Sequence, residues 1–229
     1  MKLILLMILI NQCKLGLIDQ PVTQILNHGE YEVVLRFGPS GGVLGFFSVG
    51  VVDRFTFGLS TGAANLIGAE DPEIYPHPGI QIKGQILPGG IYLPEWTFGF
   101  DNQGFGDYDE SRYLIKSKGF YSAVGKNFEF GGGEYYLNGG INYSLENEDK
   151  NALDIFLGQK LTLFDQVALL TDYDPGFNDP RCETGGYFNG ALRVHLAESV
   201  IFEFALRDIF GHGREEQNRI IKLTYQESF

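Results

Sequence analysis

Apolar and polar side chains exchange places at every second residue in one stretch after another of this 229-residue chain. That period of two belongs to β-strands with two unlike faces. In EYYLNGGINYSL, Tyr135, Leu137, Ile141 and Tyr143 fall on one face, with Asn138, Gly140, Asn142 and Ser144 on the other. In ESVIFEFALRD, Val200, Phe202, Phe204 and Leu206 oppose Glu203, Ala205 and Arg207. The closing RIIKLTYQESF sets Ile221, Leu223, Tyr225 and Phe229 against Lys222, Thr224, Gln226 and Ser228. No helical periodicity interrupts the pattern after Glu30. Twelve such segments are predicted, at 30–38, 42–52, 54–62, 78–87, 93–101, 116–127, 134–145, 152–160, 165–174, 186–196, 199–208 and 217–229. Abundant Gly (31), Phe (19) and Tyr (12) suit strands and turns.

The connections carry a second pattern. AANLIGAEDPEIYPH, DNQGFGDYDESRYLI, ENEDKN, DPGFNDPRCETGG and IFGHGREEQ are long or acidic, whereas D, LTLF and AE are brief. Long and short alternate, apart from the short first hairpin PSG. An up-and-down barrel with both termini on one side of a membrane behaves in this way. The expected fold is therefore all-β, an antiparallel up-and-down transmembrane β-barrel of about twelve strands, with ten to fourteen compatible with the pattern. A barrel that wide has an interior that its own side chains do not fill. The polar face then lines a lumen and the apolar face meets lipid. Arg36, Lys83, Asp154, Glu203, Arg207 and Lys222 are the candidate lumen-facing residues, setting selectivity or bridging strands. Tyr31, Trp96, Tyr143, Tyr173, Tyr187 and Tyr225 are candidates for the interfacial girdles.

At the N-terminus, Lys2 precedes an unbroken apolar run from Leu3 to Ile10, too short to span a bilayer as a helix. Residues 1–18 are expected to be a signal peptide, 19–29 a short periplasmic segment and 30–229 the barrel. Cys13 leaves with the signal, so Cys182 stands alone and no disulfide or thiolate metal spacing exists. A net charge of −12 without a basic stripe excludes a nucleic-acid partner.

Four stretches resemble the YjbH-type outer-membrane proteins, a family associated with exopolysaccharide production. They are GPSGGVLGFFSVGVVDRFTFGLSTG, PGIQIKGQI with LPEWTFGFDNQGFG, RYLIKSKGFYSAVGKNF and GGINYSLE. The resemblance covers most of residues 38–229. It implies an outer-membrane location in a Gram-negative-type bacterium, contact with outer-membrane lipid and lipopolysaccharide, and polysaccharide-export proteins as partners. The last strand also resembles the signal read by the barrel-assembly machinery, carried by Leu223, Tyr225 and Phe229; Glu227 departs from it.

Two other readings stay open. A lipid-modifying hydrolase needs a nucleophile and an oriented base, and His195, near Ser199, is the best placed of His28, His77, His195 and His212. A secreted soluble sandwich or barrel that binds a ligand is the other. No GxSxG elbow is present. Asp172, Asp174, Asn178 and Asp179, and the DYDE run at 107–110, are oxygen-rich enough to be weighed for calcium, but lack the spacing of a calcium loop. The glycine-rich GGGE and QGFGDY are turns, since neither opens a helix. No cofactor is expected, and a non-enzymatic barrel is the leading expectation.

Overall fold

The structure, a computed structural model, describes residues 16–38, 41–69, 71–109, 111–146, 153–179, 182, 185–211 and 218–229. Each of the twelve expected segments is a strand: β1 (Glu30–Phe37), β2 (Val43–Val52), β3 (Phe55–Ala64), β5 (Gly79–Pro88), β6 (Glu95–Asp101), β9 (Gly119–Phe130), β10 (Gly133–Tyr143), β11 (Leu153–Leu163), β12 (Val167–Asp174), β13 (Tyr187–His195), β14 (Val200–Arg207) and β15 (Asn218–Ser228). Three short strands were not foreseen: β4 (Glu73–Ile74), β7 (Phe105–Asp109) and β8 (Arg112–Ile115).

Neighbours in sequence are neighbours in space. Antiparallel pairing runs from β1 to β2 and β3, then through β5 and β6 to β9. β9 lies beside β10, with Tyr143 level with Gly119. Pairing continues from β10 through β11, β12, β13 and β14 to β15. β15 then pairs antiparallel with β1, from Glu30 opposite Ser228 to Phe37 opposite Ile221. The sheet therefore closes on itself, and no barrel strand is left with a free edge.

The two faces separate cleanly. Along β14, Ile201, Glu203 and Ala205 are at most 2% exposed, whereas Phe204 and Leu206 are 38% and 40% exposed. Leu35, Phe47, Leu59, Phe98, Phe120, Leu137, Ile155, Leu169, Leu192, Ile221 and Leu223 point outward in the same way. An apolar exterior around a polar interior inverts the arrangement of a soluble barrel and marks a membrane-spanning one. Tyr31 packs outside against Phe47, Tyr225 and Phe229, with ring centroids 6.2–6.4 Å apart. Tyr187 departs from the girdle expectation. It shares the inner face of β13 with Asn189 and Arg193, lies against the Arg207 guanidinium, and donates its hydroxyl to Asp179 Oδ2.

One end of the barrel carries tight turns, at 53–54, 89–94, 131–132, 164–166 and 196–199, together with the start of β1 and the end of β15. The other end carries the longer loops. One of these, 102–118, folds back as the β7–β8 hairpin, with Tyr108 opposite Tyr113. Tyr113 stacks edge-on against Tyr75 and Tyr108, at 5.1 and 4.9 Å between centroids. Leu44 and Ala64 complete the apolar cluster beneath.

The N-terminal part enters the barrel. Residues 1–15 of the expected signal segment lie outside the described residues. Residues 16–26, which take in the last three residues of that segment and most of the expected periplasmic piece, run inside the barrel, and Asn27 and His28 are exposed at its turn end. Leu17, Ile18, Val22 and Leu26 are all at most 2% exposed, and the first three pack with Tyr136, Ala168, Leu170, Ala205 and Ile220 of the wall. The physical reason is the one that makes a wide barrel wet: twelve strands enclose more volume than their inward side chains occupy. Glycines admit the segment closely. A Cβ on Gly50 would sit 1.9 Å from the Asn27 carbonyl oxygen, and one on Gly158 would sit 2.1 Å from a Leu17 methyl.

Candidate functional site: the filled lumen

An irregular segment at membrane depth must have its backbone groups satisfied by something other than water or lipid. The lumen wall does this residue by residue. Leu26 N–H donates to Thr56 Oγ1 (2.9 Å), and Lys83 Nζ donates to the Gln24 carbonyl (2.9 Å). Thr23 N–H reaches the Tyr136 hydroxyl at 3.0 Å, while its own hydroxyl donates to Glu95 Oε2 at 2.5 Å. Asn138 Nδ2 donates to the Pro21 carbonyl (2.8 Å), and Gln20 Nε2 to Asp174 Oδ2 (3.3 Å). The chain then folds into a tight turn, closed by Leu17 N–H on the Gln20 carbonyl (3.0 Å).

Asp19 sits in that turn and meets the strongest set of contacts. Arg36 Nη2 donates to its Oδ1 at 2.6 Å, and Arg207 Nε to its Oδ2 at 2.5 Å. Asn189 Nδ2 adds a longer bond to Oδ2 at 3.4 Å. The N–H groups of Ile18 and Asp19 both donate to Asp172 Oδ2, at 3.0 and 2.9 Å. Lys222 Nζ donates to the carbonyls of Leu17 (2.8 Å) and Ile18 (2.7 Å), and Arg36 Nη1 to that of Ile18 (3.1 Å). The positive charges of Arg36, Arg207 and Lys222 thus surround this buried carboxylate.

Strand register explains why a carboxylate belongs there. Arg36 stands opposite Lys222, Lys222 opposite Glu203, and Glu203 opposite Arg193. Glu203 satisfies its two neighbours, at 2.6 Å to Arg193 and 3.1 Å to Lys222. That leaves Arg36 directly across from a like charge, which is unfavourable without a counter-ion. Asp19 supplies it.

The loop end is closed by the β7–β8 hairpin and its flanks. Arg112 pairs with Asp179 (3.2 Å), Lys118 with Asp174 (2.5 Å), and Lys116 Nζ donates to the Asn178 carbonyl (2.5 Å). Glu146 accepts N–H bonds from Tyr113 (2.9 Å) and Ser117 (3.1 Å), and burial raises its pKa against these bonds. The Arg36 guanidinium lies 3.6 Å over the Phe105 ring, so the inner segment and the hairpin share one residue. Between them a cavity of about 120 Å³ remains, bordered by Asp19, Arg36, Lys83, Phe105 and Lys222. That volume holds a few waters.

Arg36, Lys83, Asp154, Glu203, Arg207 and Lys222 all lie on inner faces and are buried or nearly so. The structure draws Arg36, Glu203, Arg207 and Lys222 into one cluster. Lys83 bonds the segment lower down, and Asp154 bonds its neighbour Ile155. Asp19, Arg193 and Asn189 complete the cluster and were not singled out from the sequence; Asp172, which joins them, was weighed there only for calcium. Leu223 and Tyr225 face outward, and Phe229 is 86% exposed at the turn end.

The acidic run weighed for calcium is engaged otherwise: Asp172 and Asp174 hold the segment and Lys118, and Asp179 holds Arg112. Among the described residues no group of three or more His, Cys, Asp or Glu is arranged to hold a metal. His195 ends β13 on the inner face, with no hydrogen-bond partner for Nδ1. Ser199 donates to Glu227 instead, at 2.9 Å, so the nucleophile and base of the hydrolase reading are not brought together.

No protein-family model matches the sequence, and no curated protein matches it at a significant level. Solved structures similar in shape include two outer-membrane proteins. The Acinetobacter baumannii outer membrane protein Omp33 aligns over 87% of this chain and 97% of its own, with a TM-score of 0.49 and 7% identity. Salmonella typhi OmpF, in complex with daunomycin, aligns over 80% of this chain and 61% of its own, with a TM-score of 0.31 and 13% identity. Similarity at this level says nothing of cargo or activity, and the barrel rests on its own geometry.

Proposed function

We propose that the chain is a non-enzymatic, plugged outer-membrane barrel, in which residues 17–27 close a lumen that conducts when they withdraw. The observation that carries this reading is the manner in which the segment is held. It packs apolar side chains on a small patch of wall, but its backbone is satisfied mainly by side chains of the barrel, one bond at a time. A permanent core would be expected to add a strand to the sheet or to bury a continuous apolar face. Individually bonded irregular chain can leave and be replaced by water, because the lumen groups that bond it are polar and are solvated on release.

The turn end then faces the periplasm and the loop end the cell exterior, as the loop lengths favour. Outer-membrane lipid and lipopolysaccharide surround the apolar belt, and the barrel-assembly machinery reads the last strand through Leu223, Tyr225 and Phe229. The YjbH-type resemblance adds a finer role, in exopolysaccharide export or surface organisation alongside export proteins. That role draws its support from sequence likeness alone.

Planar-bilayer recording tests the pore. The intact chain is expected to be closed for most of the record, and a variant lacking residues 17–27 to show steady conductance. A deletion variant that folds, shifts on heating in a gel and stays closed would remove the pore reading and leave a scaffold. For the finer role, cells lacking the protein are expected to release less exopolysaccharide, with unchanged amounts counting against it.

A further inference from the structure

The Asp19 pocket recognises more than a charge. Two guanidiniums, from β1 and β14, grip the carboxylate from either side at 2.6 and 2.5 Å, and their side chains are 5% and 6% exposed. Immediately beside them the Asp172 carboxylate accepts two successive backbone N–H groups, and Lys222 with Arg36 donates to the two preceding carbonyls. Donors and acceptors are thus matched to a peptide backbone with an acidic side chain at its end. The charges agree: Arg36, Arg193, Arg207 and Lys222 gather there beside Glu203 and Asp172, with Arg36 and Lys222 level with each other across β1 and β15. The adjoining cavity of about 120 Å³ gives an incoming group room beside Arg36 and Lys222.

We infer that this cluster is a binding site for acidic peptides, which the chain's own Asp19 turn occupies in the closed state. The inference rests on the reading of residues 17–27 as a removable plug. A peptide carrying an aspartate competes with residues 17–19 for Arg36, Arg207, Lys222 and Asp172, so its binding and plug withdrawal favour one another. Simple anions reach only the guanidinium half of the site. A uronic acid offers the carboxylate but no consecutive N–H groups for Asp172.

Chemical rescue separates these cases. The variant lacking residues 17–27, refolded in detergent, vacates the places that residues 17–19 take on Arg36, Arg207, Lys222 and Asp172 together. The readout is the temperature at which the folded, fast-migrating gel band is lost, measured with N-acetyl-alanyl-aspartate amide, acetate, glucuronate or chloride at matched ionic strength. The peptide is expected to raise that temperature at a concentration at least tenfold below acetate, with no comparable rise in the intact chain, where residues 17–19 fill the site. Adding Arg36→Gln to the variant is expected to abolish the rescue. Equal effects of chloride and the peptide, or rescue by glucuronate at lower concentration, would overturn the inference. If this variant does not refold, a shorter deletion, of residues 16–20, serves, with the same expected order of ligands. Conductance of the variant lacking 17–27 is recorded in parallel. A closed deletion variant with intact rescue would fail the pore and spare the site, whereas an open one without rescue would do the reverse.

Discussion

Replacing Asp19 by Asn keeps the shape of the side chain and one oxygen acceptor while removing the counter-charge that Arg36 and Arg207 share. Both ion pairs lie deep in the lumen, with every participating side chain at most 6% exposed, so solvent screening offers little relief. Breaking a buried pair by neutralising one partner costs about 3–5 kcal/mol, because the remaining charge stays in a poor environment. The retained amide oxygen places this substitution at the lower end, about 3 kcal/mol. At about 1.4 kcal/mol for each factor of ten, the balance between docked and withdrawn segment moves roughly a hundredfold. Arg36 and Lys222 also face each other across β1 and β15, so their repulsion adds in the same direction. In planar bilayers the fraction of time spent open should rise by about two orders of magnitude over the intact chain, toward the level of the 17–27 deletion. An open fraction within twofold of the intact chain, in a variant that folds normally, would refute the claim that this carboxylate holds the plug.

Gly50→Ala forces a Cβ to within 1.9 Å of the Asn27 carbonyl, where backbone and not a flexible side-chain end must yield; the gel-shift temperature should fall and leak conductance appear. At the loop end, Glu146→Ala strands the Tyr113 and Ser117 N–H groups at about 1–3 kcal/mol each, and proteolysis should cut the 102–118 loop faster. Glu146→Gln keeps one acceptor oxygen and turns an NH2 donor toward the other N–H, so its cleavage rate should fall between those of the intact chain and Glu146→Ala.

Much of the barrel was legible because its rule is local. Period-two alternation marks a strand whichever partner it finds, and all twelve segments were found within a few residues. The largest offset was at 116–127, where β9 starts at Gly119 because Lys116 and Lys118 serve the loop-end contacts. The plug was not legible for the opposite reason. Leu17, Ile18, Val22, Ile25 and Leu26 lack the alternation that marks a strand, and they adjoin the apolar run that reads as a leader. A lone acid in an apolar stretch, Asp19 in LGLIDQPV, was the available signal, and its partners lie 17 and 188 residues away. Tyr187 looked like a girdle residue because aromatic identity does not reveal which face it occupies; Arg207 and Asp179 draw it inward. The acidic run at 172–179 is engaged by Lys118, Arg112 and the neutral N–H groups of the inner segment, partners too far away in the chain for any spacing to show.

The presence of residues 17–27 inside the barrel underlies the plug, the pore and the peptide site alike. Val22→Cys, made in a background lacking Cys13 and Cys182, places a thiol where the native side chain is 2% exposed against the lumen wall. A bulky, membrane-impermeant maleimide applied to the folded protein in intact outer membranes should label it slowly, with at least a hundredfold faster labelling after heat unfolding. Rapid labelling of the folded barrel, at a rate near that of the unfolded chain, would put the segment outside the lumen and contradict the account.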